Sequence, residues 1–213
     1  MPYDLYVVTD REIGRGRTHR EIALEATAGG ADVIQFRDKT LPFREFIETA
    51  KEIRDITATS GAMFIVNDRI DAALAVGADG VHLGQNDMPA DWARRISPTG
   101  FIIGISVGNV AEAIEAESAG ADYVALSPVF STGSKADAGP GHGLEMLSQI
   151  RSNVEIPVIG IGGIGLHNVK DVISAGADGI AVISAVAGAD DIRLAAEGMK
   201  KMIALEKKKS GLR

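Results

Sequence analysis

Gly30-Ala31-Asp32-Val33-Ile34-Gln35-Phe36-Arg37-Asp38-Lys39 decides how this chain folds, because its opening step recurs. Gly-Ala-Asp returns at Gly77-Ala78-Asp79 before GVHLGQND (80–87), at Gly120-Ala121-Asp122 before YVALSPVF (123–130) and at Gly176-Ala177-Asp178 before GIAVISA (179–185). The copies lie 47, 43 and 56 residues apart, the length of two strand–helix units of a compact α/β protein. Each step leads into an apolar run whose polar residues come last. Parallel strands aligned in one sheet put those downstream ends on a single face, where the active sites of such folds are built. The step itself reads as structural. Glycine supplies the left-handed conformation that ends a helix, and aspartate can hydrogen-bond the turn.

Four more apolar runs lie between the repeats. All eight are LYVVT (Leu5–Thr9), VIQFR (Val33–Arg37), MFIVN (Met63–Asn67), GVHL (Gly80–Leu83), IIGIS (Ile102–Ser106), YVALS (Tyr123–Ser127), VIGIG (Val158–Gly162) and GIAVIS (Gly179–Ser184). They are nearly continuous and rich in Val and Ile, as parallel strands buried on both faces must be. Helix signals separate them. Thr18-His19-Arg20-Glu21 has the form of a capping box, Pro42 opens an amphipathic stretch with Phe43, Phe46, Ile47, Ala50 and Ile53, and Asn109 precedes Glu112 as a further start. Strict alternation in units of about 25 residues favours a closed (β/α)8 TIM barrel over an open doubly wound sheet. With no shift of composition, residues 1–213 read as one domain, and Glu206–Arg213, with three consecutive lysines, as a solvated, fraying helix end.

A net charge of −7 argues against a nucleic-acid-binding surface, so any cations that matter act locally. Cysteine is absent, which removes disulfide and thiolate chemistry and fits a reducing cytoplasm. MPYDLYVVTD reads as a strand rather than a signal peptide, and no apolar run reaches the roughly 18 residues that span a bilayer.

The strand ends carry a polar constellation. Gln35, Arg37 and Lys39 share one side by the two-residue period, and two cations with an amide suit a multiply charged anion such as pyrophosphate. Pairing of Arg37 and Lys39 with acids on the rim is the other reading. Asn67-Asp68 and Asp87 end neighbouring strands. Two carboxylates beside cations fit Mg²⁺ that bridges phosphate oxygens, although Asp68 and Asp87 could each cap a helix instead. His82 reads as a packed or hydrogen-bonded core imidazole, and the four histidines show no zinc spacing. Ser106 lacks a His–acid partner pattern, so its hydroxyl suits substrate binding rather than nucleophilic attack. The loop from Ser131 to His142 offers hydroxyls, Lys135 and glycines for binding phosphate and moving as a lid, without P-loop spacing. Gly160-Ile161-Gly162-Gly163-Ile164 and Ile183-Ser184-Ala185 end the last two runs, where barrels commonly hold a phosphate.

Taken together, QFRDK (35–39), Asn67-Asp68, DGVHLGQND (79–87), Ser106, SPVFSTGSK (127–135), GIGGI (160–164) and Ile183-Ser184 closely resemble the thiamine-phosphate synthase (thiamine-phosphate pyrophosphorylase) family. The likeness runs from VVTDR near the start to AVISAV near the end. It implies that Gln35, Phe36, Arg37, Asp38, Lys39, Asn67, Ser106 and Lys135 bind an aminopyrimidine diphosphate. Arg37, Lys39, Ser106 and Lys135 would be catalytic, and Asp68 and Asp87 would hold one Mg²⁺ per subunit. Thr132, Gly133, Ser134, Gly163, Ile183 and Ser184 would surround a thiazole phosphate. Two positions depart from the family pattern, Ser134 where a second Thr is common and Asn86 where an acid often precedes Asp87.

The implied reaction couples 4-amino-2-methyl-5-hydroxymethylpyrimidine diphosphate with 4-methyl-5-(2-phosphoethyl)thiazole, or its carboxylated form, to give thiamine phosphate and pyrophosphate. Its partners would be small molecules in the cytoplasm, with neither nucleic acid nor membrane, and a homodimer is left open. A thiazole tautomerase on the same barrel is the nearest alternative, but it needs neither diphosphate clamp nor metal. Another phosphate-binding barrel enzyme would need an acid/base pair, whereas these carboxylates look committed to a cation.

Overall fold

The computed structural model describes residues 3–134 and 139–210. Eight strands, β1 (Leu5–Thr9), β2 (Val33–Phe36), β3 (Met63–Asn67), β4 (Gly80–Leu83), β5 (Ile102–Val107), β6 (Tyr123–Leu126), β7 (Val158–Ile161) and β8 (Gly179–Val182), pair in parallel in chain order. β8 returns to β1, with Leu5 opposite Ile180, and closes the barrel expected from the repeats. Outside it lie α1 (His19–Ala28), α2 (Phe43–Ser60), α3 (Ile70–Val76), α4 (Ala90–Ile96), α5 (Val110–Ser118), α6 (Gly143–Arg151), α7 (Val169–Ser174), the short α8 (Ser184–Ala187) and α9 (Ile192–Ser210).

Side-chain alternation builds two cores. Tyr6, Val8, Val33, Ile65, Tyr123 and Ile159 fill the barrel, whereas Leu5, Val7, Ile34, Phe36, Phe64 and Val66 face the helices. Both faces of each strand are therefore buried, which is why the runs carry no polar alternation. The helix starts form as their sequences predict. Thr18 and Glu21 exchange bonds, Glu21 N to Thr18 Oγ1 at 3.1 Å and Thr18 N to Glu21 Oε2 at 2.7 Å, and Asn109 Oδ1 accepts Glu112 N at 3.0 Å.

The Gly-Ala-Asp steps do more than turn the chain. Gly30, Gly77, Gly120 and Gly176 have φ of +88°, +64°, +92° and +103°, the left-handed region. Each aspartate that follows clamps the preceding strand rather than its own turn. The Oδ2 atoms of Asp32, Asp79, Asp122 and Asp178 accept the N–H of Leu5, Phe64, Ile103 and Val158 at 2.9, 2.7, 2.7 and 2.8 Å. The backbone N–H of each aspartate returns a bond to the carbonyl of that same residue. A cation covers each carboxylate: Lys200, Arg54, Arg94 and Arg151 in turn.

Composition suggests fraying from Glu206, but α9 continues through Ser210. Lys207 Nζ bonds the carbonyl of Asp178 at 2.7 Å and the Asp4 carboxylate, tying the helix to the barrel base. Burial alone would raise the Asp4 carboxyl, yet hydrogen bonds from Lys207 and Lys200 hold it below its usual range.

Candidate active site

The two-residue period sorts the strand ends into inward and outward side chains. Gln35 points into the barrel and Arg37 and Lys39 follow it to the mouth, where both line one cavity of about 380 Å³. Asn67, Asp68, His82, Asp87 and Ser106 share that cavity. Alternation turns the side chains of Phe36 and Asp38 the other way. Phe36 is fully buried between His19 and Phe46, with ring centroids 4.7 and 4.4 Å away. Asp38 Oδ2 meets His19 Nε2 at 3.0 Å, and its Oδ1 accepts Thr40 N and Leu41 N at 2.7 and 2.8 Å. Asp38 thus shapes the loop that carries Lys39 and reaches only the adjoining groove along Arg11, Glu12 and Thr40. Burial lowers the His19 imidazole, whereas the His19 and backbone hydrogen bonds bring Asp38, despite its burial, down to about 2.

Arg37 pairs with an acid on the rim, the second of its two readings, without leaving the cavity. Its Nη1 pairs with Asp10 Oδ2 at 3.2 Å, and it still lines the cavity. Neither Asp68 nor Asp87 caps a helix. α3 starts after Arg69 and α4 after Pro89, each without a side-chain cap. Asp68 has φ of +59°, an uncommon conformation for a non-glycine residue and one that concentrates at functional sites. Burial and the facing Asp87 charge raise its carboxyl to about 6, with Lys39 and Arg37 opposing the rise. Asp87 Oδ2 accepts Gly84 N at 2.7 Å.

Below the cavity floor runs a chain of polar side chains across the barrel. Gln35 Nε2 donates to Tyr6 Oη at 2.7 Å, and Tyr6 Oη lies 2.9 Å from Tyr123 Oη. Tyr123 Oη is 2.9 Å from His82 Nδ1, and His82 Nε2 is 2.9 Å from Ser106 Oγ. Burial holds both phenols well above their usual range, so each keeps its proton. His82 is the hydrogen-bonded imidazole expected of it, and it also reaches the cavity. Sequence reasoning missed Tyr6 and Tyr123. Their place two or more residues below the polar strand ends, on the inward register, was the available signal.

A second lobe joins the first along Ser127 and Pro128. Thr132, Ser134, Gly162, Gly163, Ile183 and Ser184 line it, and Ser134 Oγ bonds Ser184 Oγ at 3.2 Å. Glycine is required at residue 162: φ is +101°, and a Cβ there would lie 2.4 Å from Pro128 Cβ. Gly133 faces an outer groove that it shares with Thr132, Ser134, Gly163 and Ser184. Lys135 lies outside the described residues. Glu112 and His142 also border the first lobe, and the loop after β1 is held by Arg17, which donates to the carbonyls of Ala189 and Asp190 at 2.8 and 3.0 Å.

Residues 5–186 match the family model described as thiamine monophosphate synthase. The chain belongs to that family. It is therefore an enzyme of the transferase class. It is 62% identical over 207 residues to the thiamine-phosphate synthase of Methanoculleus marisnigri, covering 97% of this chain and 98% of the relative. The thiamine-phosphate synthase of Methanocella arvoryzae is 55% identical over 203 residues, covering 95% and 96%. Among solved structures, thiamine phosphate pyrophosphorylase from Pyrococcus furiosus matches with a TM-score of 0.90 at 47% identity, over 96% of this chain and 97% of that one. Among the described residues, no helix is long and apolar enough to cross a membrane.

Proposed function

We propose that this family member is a thiamine-phosphate synthase that joins 4-amino-2-methyl-5-hydroxymethylpyrimidine diphosphate to 4-methyl-5-(2-phosphoethyl)thiazole in the cytoplasm, releasing pyrophosphate. One observation carries the reading. Two lobes share the Ser127–Pro128 wall, one ringed by cations and facing carboxylates, the other by glycines and hydroxyls. Such a pair suits two phosphorylated substrates whose reacting ends must meet.

Asp68 and Asp87 fit a divalent cation. Burial and the repulsion from Asp87 raise the Asp68 carboxyl to about 6, an energetic cost that a bound cation would relieve. Among the described residues no cluster of three or more His, Cys, Asp or Glu forms, and Mg²⁺ typically takes one or two carboxylates and completes its shell with water and substrate phosphate. When bound there, Mg²⁺ would neutralise charge growing on the departing diphosphate.

The remaining work falls to the chain's side chains. Arg37 and Lys39, joined by Lys135 if the family resemblance holds there, would grip the diphosphate and stabilise it as it leaves with the electron pair of the broken C–O bond. Ser106 would orient the pyrimidine, whose amino group spreads the positive charge left on its methylene carbon. Thr132, Ser134, Gly163 and Ser184 would anchor the thiazole phosphate, so that the ring nitrogen forms the new C–N bond from a fixed position. No protein nucleophile or base is required. Incubation with both substrates, with and without Mg²⁺, should yield thiamine phosphate by mass spectrometry only when all three are present. Absence of product with a folded protein and all three components would overturn the proposal.

A further inference from the structure

The chain of five side chains across the barrel has a donor fixed at its Gln35 end. Gln35 directs its amide nitrogen, a donor, at Tyr6 Oη. Tyr6 Oη lies 2.9 Å from Tyr123 Oη, and with its oxygen already accepting from Gln35 its one proton is available for that bond. Passed on in the same sense, the Tyr123 proton would go to His82 Nδ1, 2.9 Å away. An imidazole nitrogen that accepts carries no hydrogen, so in that arrangement the ring would bear its proton on Nε2 and donate it to Ser106 Oγ, 2.9 Å away. The Ser106 oxygen then accepts, and its own hydrogen is turned toward the cavity that it lines.

We propose that Tyr6, Tyr123 and His82 are positioning residues that make Ser106 a hydrogen-bond donor to an acceptor atom of the substrate heterocycle, a ring nitrogen rather than an amino group. The inference rests on the pyrimidine reading for the nature of that heterocycle. The polarity of the chain does not depend on it. The packing supports a fixed arrangement: the His82 and Tyr123 rings are stacked with centroids 5.6 Å apart, and Tyr6 meets Tyr123 edge-on at 6.1 Å. All three rings are buried, so water does not offer the phenols alternative partners.

The test is ¹⁵N NMR of the full-length protein labelled at histidine, with His82→Gln to identify the resonance. The proposal expects His82 as the neutral tautomer protonated at Nε2. In Tyr123→Phe, which keeps the ring but removes the donor to Nδ1, that tautomer should lose its dominance. A wild-type His82 protonated at Nδ1 overturns the proposal, since the chain would then run from Ser106 toward Gln35. Steady-state kinetics supply the second arm. Tyr123→Phe should raise KM for the pyrimidine diphosphate by about tenfold, the scale of one hydrogen bond, and leave KM for the thiazole phosphate unchanged. His82→Gln, whose amide can still donate to Ser106, should retain more activity than His82→Leu. Equal losses for both substrates, or for both His82 variants, would reduce the chain to a structural role and also overturn it. If the tautomer is as expected but no thiamine phosphate forms, the substrate reading fails and the polarity stands.

Discussion

Gly104 lies against the phenol of Tyr123: a methyl group added at residue 104 would stand 2.0 Å from Tyr123 Cζ. The two residues are register partners on β5 and β6, and His82 pairs with Gly104 on the other side. The missing side chain is what lets the tyrosine ring cross between His82 and the barrel centre. Gly104→Ala should therefore force Tyr123 aside, cost about 1–3 kcal/mol of stability by overpacking and weaken use of the pyrimidine substrate. Denaturant titration together with kinetics checks both effects.

Arg37 bridges the first lobe and its partner Asp10. Arg37→Ala should damage use of the pyrimidine diphosphate by on the order of 100-fold, as expected for loss of a guanidinium from a charge-stabilising site. Binding of the thiazole phosphate, measured by calorimetry, should barely change. Equal loss for both ligands would mean that the lobes are assigned the wrong way round.

Asp68→Asn separates stability from activity. The unfolded carboxyl ionises near 3.8 and the folded one only near 6, so at neutral pH its charge opposes folding of the metal-free protein. The variant should raise the Tm of metal-free protein while Mg²⁺-dependent coupling falls by on the order of 100-fold or more. A lower Tm would contradict the electrostatic argument.

At the base, Asp32 holds Leu5 N and the Lys200 ammonium. Asp32→Ala removes both, and a loss of about 2–3 kcal/mol is expected for this partly buried pair. Because the clamp lies at the far end of the strands from the cavity, kcat/KM should be unchanged below the melting range.

The His19–Asp38 pair sets an acid limit. His19 is lowered from 6.5, so below that pH the unfolded chain takes up a proton that the folded protein resists, and stability falls on acidification. Asp38, lowered from 3.8 to about 2, extends the loss in the same direction at still lower pH. His19→Phe should flatten the slope of unfolding free energy with pH just below 6.5. An unaltered slope would show that His19 is not its source.

The barrel was legible because a two-sided strand cannot hide its composition, and caps such as Thr18–Glu21 are local. The mouth residues Arg37, Lys39, Asn67, Asp68, Asp87 and Ser106 were legible because each ends or follows an apolar run. What escaped depended on distant partners. Tyr6 and Tyr123 are 117 residues apart, and neither looks different from a core aromatic until both are inside the barrel. The resemblance takes Phe36 and Asp38 together with their neighbours, and only the strand period shows that these two side chains point outward. Lys207 looked solvated because Asp4, its partner, is 203 residues away.

The four aspartate clamps join strands in pairs, first to second through seventh to eighth, and leave the opposite rim untouched. Architecture and reactivity therefore occupy separate poles of the molecule. Loops at the chemical pole can lengthen, shorten or trade residues during evolution while the anchored pole keeps the cylinder closed, and a scaffold divided in this way tolerates new substrates without renegotiating its own integrity.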